Sequence, residues 1–376
     1  MDKLKLAVIA DNPSLHTGYG TIARAIGNYG SKFFDISYVG LQHIGSPVEI
    51  KNKKGERFPM YAGSIAKPSE SNMVENALKQ IEPDITLTVR EPITFSPAAF
   101  PQAFYIPKGK YKRVSWIPAM SEYVPTFIVM DLMKNTDNVL TFTNAAKYVY
   151  KNAGVPYNLI ETQHLGYDSK VFNPDGTTDY FKGKDVFTFV GNANSTRERI
   201  GLLIMAFGKY LKEYNPDAYL YLHMFDDNNN YTTNLKLYAE MFGVTGHILK
   251  PKNIGKLNGV PDTELADIYR SSVATVSTSP QDGFNLPFLE AIGCGSNAVG
   301  NDIPFYDWSK YIIKVHAPVE EELGISFGKL SSASDFARGM HMARESKLSS
   351  KAVNDIKKNF DWGHIMGELN AKLLKL

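Results

Sequence analysis

The sequence predicts an α/β protein of two Rossmann-like, doubly wound parallel-sheet domains facing across a cleft, with a C-terminal helix packing across both. Three observations point there. Short apolar runs alternate with helical patterns through most of the chain, as in a mainly parallel sheet covered by helices on both faces. The alternation restarts after a polar stretch, 173–179, that carries Pro174 and Gly176. A chain of 376 residues is also too long for one typical core.

In the first half, Leu4–Ala10 reads as a buried strand and 20–29 as the helix after it. Further strands are expected at 36–41, Ile85–Val89, 113–117, 138–142 and 159–164, with a helix at 145–152. In the second half, strands at 186–190, 218–224, 246–249 and Ala274–Ser277 alternate with helices at 199–214, 233–242, 263–271 and 287–294. The expected domains are therefore 1–172 and 173–350. The tail, 351–376, is a helical segment with no strand partner, expected to cross back to the N-terminal domain. Ligands of open α/β sheets sit at the carboxyl ends of the strands.

Composition narrows the classes. A formal net charge of +2 is too small to announce a nucleic-acid or membrane partner. The lone cysteine, Cys294, excludes an internal disulfide and suits a reducing compartment. The first apolar run ends at Asp11, as a first strand does and a secretory signal does not. No stretch approaches the ~20 apolar residues that cross a bilayer. The expectation is a cytoplasmic protein (host cytoplasm if viral) without stable membrane insertion.

The most informative segment runs Ser279-Pro-Gln-Asp282-Gly-Phe-Asn-Leu-Pro-Phe-Leu-Glu290-Ala-Ile-Gly-Cys-Gly295. It follows a β-rich run and opens a helix with Pro287 near its first position, where a missing N–H costs nothing. Gly283 permits a tight path. The amides of Gly283, Phe284 and Asn285 would then leave a positive helix end suited to an anion. Asp282 in the loop and Glu290, expected on the first helical turn, can face one pocket.

Here the chain resembles the retaining glycosyltransferases of family 4, whose two-Rossmann fold is called GT-B. Their donor loop typically reads Glu-Gly-Phe-Gly-Leu-Pro, then an apolar pair and Glu-Ala; Asp282 and Asn285 are the departures. Phe187-Thr-Phe-Val-Gly191, followed by Arg197-Glu-Arg199 and an apolar helix, resembles the family's first donor-domain strand and basic loop, with Glu198 in place of a common lysine. The segments 138–144 and 164–174 match its run into the inter-domain linker, with Tyr167 for a usual valine. The resemblance covers most of the chain, with its motifs in order.

The resemblance implies transfer of a hexosyl or pentosyl group from a nucleoside-diphosphate sugar, a UDP-sugar for instance, to an acceptor hydroxyl. The sugar nucleotide is a co-substrate, and neither cofactor nor metal is expected. Glu290 would hold the donor ribose hydroxyls and Asp282 the transferred sugar. Arg197 and Arg199 would grip the diphosphate through forked, permanently charged donors, unless they are two solvated residues at a helix start. Leu286, at the helix entry, and Lys250, after the strand at 246–249, complete the donor set.

Other signals are weaker. Thr17-Gly18-Tyr19-Gly20-Thr-Ile-Ala23 fits a dinucleotide fingerprint, but residues 11–17 intervene and no acidic residue closes the second strand. In a glycosyltransferase Gly18, Tyr19 and Gly20 meet donor phosphates or acceptor; otherwise they form a plain strand–helix turn. Glu122 stands where many relatives carry a histidine near the reacting centre, and serves catalysis, the acceptor or only a surface loop. His16 and His164 are acceptor candidates or satisfied structural histidines. Asp226-Asp-Asn-Asn-Asn230 offers oxygen ligands but reads as a polar surface turn.

Two basic clusters remain, Lys51, Lys53, Lys54 and Arg57, and Lys108, Lys110, Lys112 and Arg113. Bordering an acceptor cleft they would suit DNA, and a hydroxymethylated pyrimidine in DNA, as in phage DNA-modifying sugar transferases, joins saccharide, lipid and small molecule as acceptor candidates. Solvated loops explain the clusters equally well. The rival functions are a GT-B sugar-nucleotide epimerase, which converts donor with no acceptor present, and a non-catalytic nucleotide-sugar binding module.

Overall fold

A computed structural model describes residues 3–63, 72–192, 195–225, 235–251, 259–324 and 326–376, without the side chains of 195, 196 and 225. Asp226–Asn230 lies outside the described residues. The chain divides into two compact units, Met1–Leu165 with Trp362–Leu376, and Gly166–Asp361.

The first unit contains β1 (Leu4–Ala10), α1 (Gly18–Ala25), β2 (Phe34–Gly40), β3 (Val48–Lys51), β4 (Arg57–Ala62), α2 (Met73–Ile81), β5 (Ile85–Val89), β6 (Lys112–Ile117), α3 (Thr126–Asn135), β7 (Asn138–Thr141), α4 (Asn144–Asn152) and β8 (Ile160–Thr162). Among the described residues its strands form one sheet in the order β3-β4-β2-β1-β5-β6-β7-β8. Every pairing is parallel except the β3–β4 hairpin. β5 is buried along its whole length, which explains its unbroken apolar and threonine composition. The registers Leu6↔Ile36 and Leu6↔Ile85 bring the carboxyl ends of β1, β2 and β5 together.

The second unit contains β9 (Val186–Asn192), a single turn α5 (Ser195–Glu198), α6 (Ile200–Glu213), β10 (Tyr219–Phe225), α7 (Leu235–Met241), β11 (Ile248–Leu249), α8 (Asp262–Arg270), β12 (Ala274–Ser277), α9 (Leu286–Gly293), β13 (Asn297–Asn301), β14 (Ile312–Val315), β15 (Val319–Leu323), β16 (Ser326–Leu330), α10 (Ala333–Glu345) and α11 (Ser350–Phe360). The described strands give a parallel sheet, β11-β10-β9-β12-β13-β14, and a separate antiparallel hairpin, β15–β16. Phe187, Phe207 and Tyr210 anchor one side of its core, with Tyr210 4.8 Å from Phe187 between ring centroids.

The tail differs from the single crossing helix expected. It breaks at Asp361, which is extended and accepts from Ser169 Oγ at 2.5 Å, while the Tyr167 amide donates to the Phe360 carbonyl at 2.9 Å. α11 therefore packs with the second unit. α12 (Trp362–Leu373) belongs to the first, where it buries Ile365, Met366 and Leu369 and Lys372 donates to the Thr162 carbonyl at 2.7 Å. The division near 172/173 moves to Leu165/Gly166 for a packing reason. Tyr167 lies so close under α9 that a Cβ on Gly293 would fall 2.3 Å from its ring, and the Phe172 ring lies 6.0 Å from that of Tyr269, tilted by 58°. Among the described residues no helix is long and apolar enough to cross a membrane.

Candidate functional site

The loop from β12 to α9 is built from its buried polar groups. The Asn301 amide donates to the carbonyls of Thr278 (3.1 Å) and Ser279 (2.9 Å), fixing the loop's start against the end of β13. The left-handed residue the turn requires is Asn285, at φ 68°, a conformation asparagine tolerates because its short amide can bond locally. Asn285 Oδ1 caps α9 by accepting from the Phe288 amide at 3.1 Å. Its Nδ2 donates to Asp282 Oδ2 at 2.6 Å. The same oxygen accepts from the Tyr306 hydroxyl at 3.3 Å, and Asp282 Oδ1 from the Phe284 amide at 3.3 Å. One expectation is thereby corrected: of the amides at 283–285, that of Phe284 is aimed at Asp282. The Phe284 ring is buried and stacked on Trp308.

The segment that follows the adjacent strand β9 supplies the basic residues, Arg197 on α5 and Arg199 at the cap of α6. Arg197 donates through Nε (2.9 Å) and Nη2 (2.6 Å) to Oε1 of buried Glu198. Arg199, at φ 52°, pairs with Glu321 of β15. Thr278 Oγ1 donates to the carbonyls of Glu198 (2.9 Å) and Arg199 (3.1 Å), tying this loop to the β12 loop. Burial raises the Glu198 carboxyl above its ordinary value, with Arg197 opposing and the Asp282 charge adding to the rise. Burial likewise raises Asp282, opposed by Arg197 and the three hydrogen bonds. Arg197, Glu198 and Asp282 thus form one electrostatic cluster at the carboxyl ends of two neighbouring strands. Each arginine comes with a carboxylate partner; that of Arg197 is its neighbour, and that of Arg199 lies 122 positions away, where sequence spacing does not reveal it.

Glu290 lies on the second turn of α9 rather than the first, because the helix begins at Leu286. Its Oε2 accepts from the hydroxyl of buried Tyr269 on α8 at 3.0 Å. Lys250 is exposed after β11, with β10 and β9 between it and β12.

Gly18, Tyr19 and Gly20 open α1 in the first unit. A Cβ on Gly20 would fall 2.5 Å from the Leu15 carbonyl oxygen, so this glycine allows close approach of helix and loop. Gly20→Ala is expected to cost about 1–3 kcal/mol of stability, read in a denaturant titration; an unchanged midpoint would contradict it.

Beside this turn lies a cluster that sequence reading passed over. Asp11 accepts from Thr17 Oγ1 (2.7 Å), Gln42 Nε2 (2.7 Å) and Arg90, and the Arg90 guanidinium sits 5.2 Å from the Tyr19 ring centroid. The available signal was a polar residue just past each of three buried strands, β1, β2 and β5. Glu122 is exposed on the loop after β6 and His16 just before α1. His164, after β8, donates from Nδ1 to the Phe142 carbonyl at 2.7 Å.

The basic clusters lie elsewhere. One is the turn into β4, which runs parallel to β2; the other leads into β6, parallel to β5. Both therefore sit at the amino ends of the strands, opposite Asp11, Arg90 and Glu122. Arg113 is moreover buried and paired with Asp137 at 2.7 Å.

No family model matches the chain, and no curated protein matches it. Solved structures do. A sucrose-phosphate synthase from Thermosynechococcus elongatus is 13% identical with a TM-score of 0.76, covering 99% of this chain and 100% of that one. HepE from Anabaena in complex with UDP-glucose is 12% identical with a TM-score of 0.72, over 99% and 100%. A glycosyltransferase from Rickettsia africae is 12% identical with a TM-score of 0.68, over 100% of both chains. These likenesses span both parallel-sheet units. In fold the chain is a GT-B protein, with two Rossmann-like domains.

Proposed function

We propose that the chain is a retaining, family 4-type glycosyltransferase that moves a sugar from a nucleoside-diphosphate sugar to an acceptor hydroxyl. The observation that carries this is the carboxylate Asp282, fixed beside Arg197 at the mouth of the second sheet, with Glu290 held by Tyr269 on the helix that follows. The fold shared with sugar transferases, one of them holding UDP-glucose, supports it.

In this account Glu290 accepts from the donor ribose hydroxyls, and Arg197 and Arg199 turn from their carboxylates to the diphosphate. The acceptor oxygen attacks the anomeric carbon on the face that the diphosphate leaves. The bond from that carbon to the phosphate oxygen breaks, and the departing diphosphate takes the hydroxyl proton. The protein contributes position and charge, with Asp282 on the sugar and arginines facing the charge that grows on the leaving group. The acceptor meets the first unit at its carboxyl-end residues, among them Glu122, His16 and His164. A DNA acceptor would need a grip other than the two basic clusters.

A thermal-shift screen over UDP, GDP, ADP and their sugars tests the proposal. At a hundred times its Kd the right nucleotide adds about 2.7 kcal/mol to the native state, a rise of several degrees. A flat screen, with no nucleotide sugar turned over, would overturn it.

Glu198 adds a pH dependence. Protonating it frees the Arg197 fork and removes a negative charge from an anion site, so its raised pKa makes UDP binding stronger as pH falls. Glu198→Gln mimics that state. It is expected to bind UDP several-fold more tightly than the parent at pH 8, with the advantage shrinking as pH falls and the parent's Glu198 takes up its proton. Calorimetry at several pH values measures the ratio, which also cancels the titration of UDP itself. A ratio that stays at one throughout would remove Glu198 from the donor site.

A further inference from the structure

We propose that Asn285 and Tyr306 are positioning residues for Asp282, and that the short carboxylate and the amide clamping it act as one unit that sets how far the acid reaches towards the donor sugar. This rests on the assignment of Asp282 to the transferred sugar made above.

Asn285 carries two separable tasks. Glycine would take its left-handed backbone without strain, and exchanging an asparagine cap for glycine costs only a few tenths of a kcal/mol. What asparagine adds at this position is the 2.6 Å contact from Nδ2 to Asp282 Oδ2. Tyr306 closes the cluster, its hydroxyl lying 3.3 Å from both Asp282 Oδ2 and Asn285 Nδ2. That phenol is buried, and its ring packs against Phe288 of α9 with centroids 5.3 Å apart, so its own place is fixed by the helix. Burial and the neighbouring Asp282 charge keep it protonated, hence a donor. With the Phe284 amide on Oδ1, both carboxylate oxygens are held, which sets the plane of the group.

A glutamate at 282 would extend the acid by one C–C bond, about 1.5 Å. The 2.6 Å contact to the Asn285 amide cannot absorb that. The longer acid needs the smaller residue at 285, and the shorter acid needs the amide to hold it. The two differences from the Glu-Gly-Phe-Gly pattern therefore compensate one another.

The test compares the parent with Asp282→Glu, Asn285→Gly and the double variant. Turnover is measured on the nucleotide sugar that most raises the melting point, and Kd on UDP, which lacks the sugar. Each single change is expected to lower kcat by at least about tenfold while the UDP Kd moves less than threefold; the double should return kcat to within about threefold of the parent. A double whose loss equals the product of the two single losses, or an Asn285→Gly enzyme with full kcat, would overturn the proposal.

Tyr306→Phe adds a readout that mere support of the fold would not move. Losing a donor to the ionised acid raises the Asp282 pKa, so the acid limb of kcat shifts to higher pH; an unmoved limb counts against positioning. Should the parent turn over no nucleotide sugar, the donor assignment falls by itself. The pair is then judged on melting points, where a non-additive cycle between 282 and 285 supports the clamp and an additive one refutes it.

Discussion

Replacing Glu290 by alanine is expected to weaken UDP binding by about 10²–10⁴-fold. Two ribose hydroxyls donating to one carboxylate are two hydrogen bonds to a charged group, worth about 1.5–3 kcal/mol each. Helix α9 and the Tyr269 hydroxyl hold that carboxylate in place before any ligand arrives, so little of the gain is spent on ordering it. The same substitution leaves the buried Tyr269 hydroxyl short of a partner, at a cost of about 1–3 kcal/mol, so a lower melting point should accompany the loss. Tyr269→Phe separates the two effects by removing the orienting bond while keeping the carboxylate. It should weaken UDP by less than Glu290→Ala and leave the protein more stable than that variant. Calorimetry reads both, and an unchanged Kd in Glu290→Ala would remove this residue from the donor site.

Asp282→Asn should instead act on the chemical step. Removing a preorganised charge from a reacting centre typically costs about 10²–10³ in kcat. UDP affinity should hold or improve, because a negative charge next to Arg197 has gone. Turnover of a nucleotide sugar set beside UDP titrations checks this split. A variant with parental kcat, or one whose entire defect lies in UDP binding, would contradict a sugar-facing role.

Much of the framework was legible because it rests on local burial. β1, β5 and β12 have the expected limits, each a short buried run bounded by polar or turn residues. The loop before α9 was legible in part: Pro287 in the first turn marked the helix start, whereas the left-handed capping position fell on Asn285 and not on Gly283.

Other features depend on partners far away in the chain. β3 and β4 form an edge hairpin whose first strand is largely exposed, so no buried periodicity marks it. β13 is fully buried yet begins and ends in asparagine. Both amides are satisfied by carbonyls from α10 and the β12 loop, contacts no local window contains. The pairing of Arg199 with Glu321 joins residues 122 positions apart, and the hydrogen bond from Arg90 to Asp11 joins residues 79 apart.

Strand direction decided the fate of the basic clusters. Lysines before β6 and lysines after it have the same composition, yet only the latter would stand at the ligand end of a parallel sheet. The break at Asp361 was hidden for a similar reason. Residues 351–376 read as one helical segment until Ser169 and Tyr167 claim the groups at the junction.

Hydrogen–deuterium exchange of the whole chain with and without saturating UDP tests most directly whether a nucleotide occupies the mouth of the second sheet. Slower exchange is expected in peptides spanning 195–200 and 279–294, where Arg197, Asp282 and Glu290 reside. Bound UDP that protects other segments and leaves both of these unchanged would contradict the assignment.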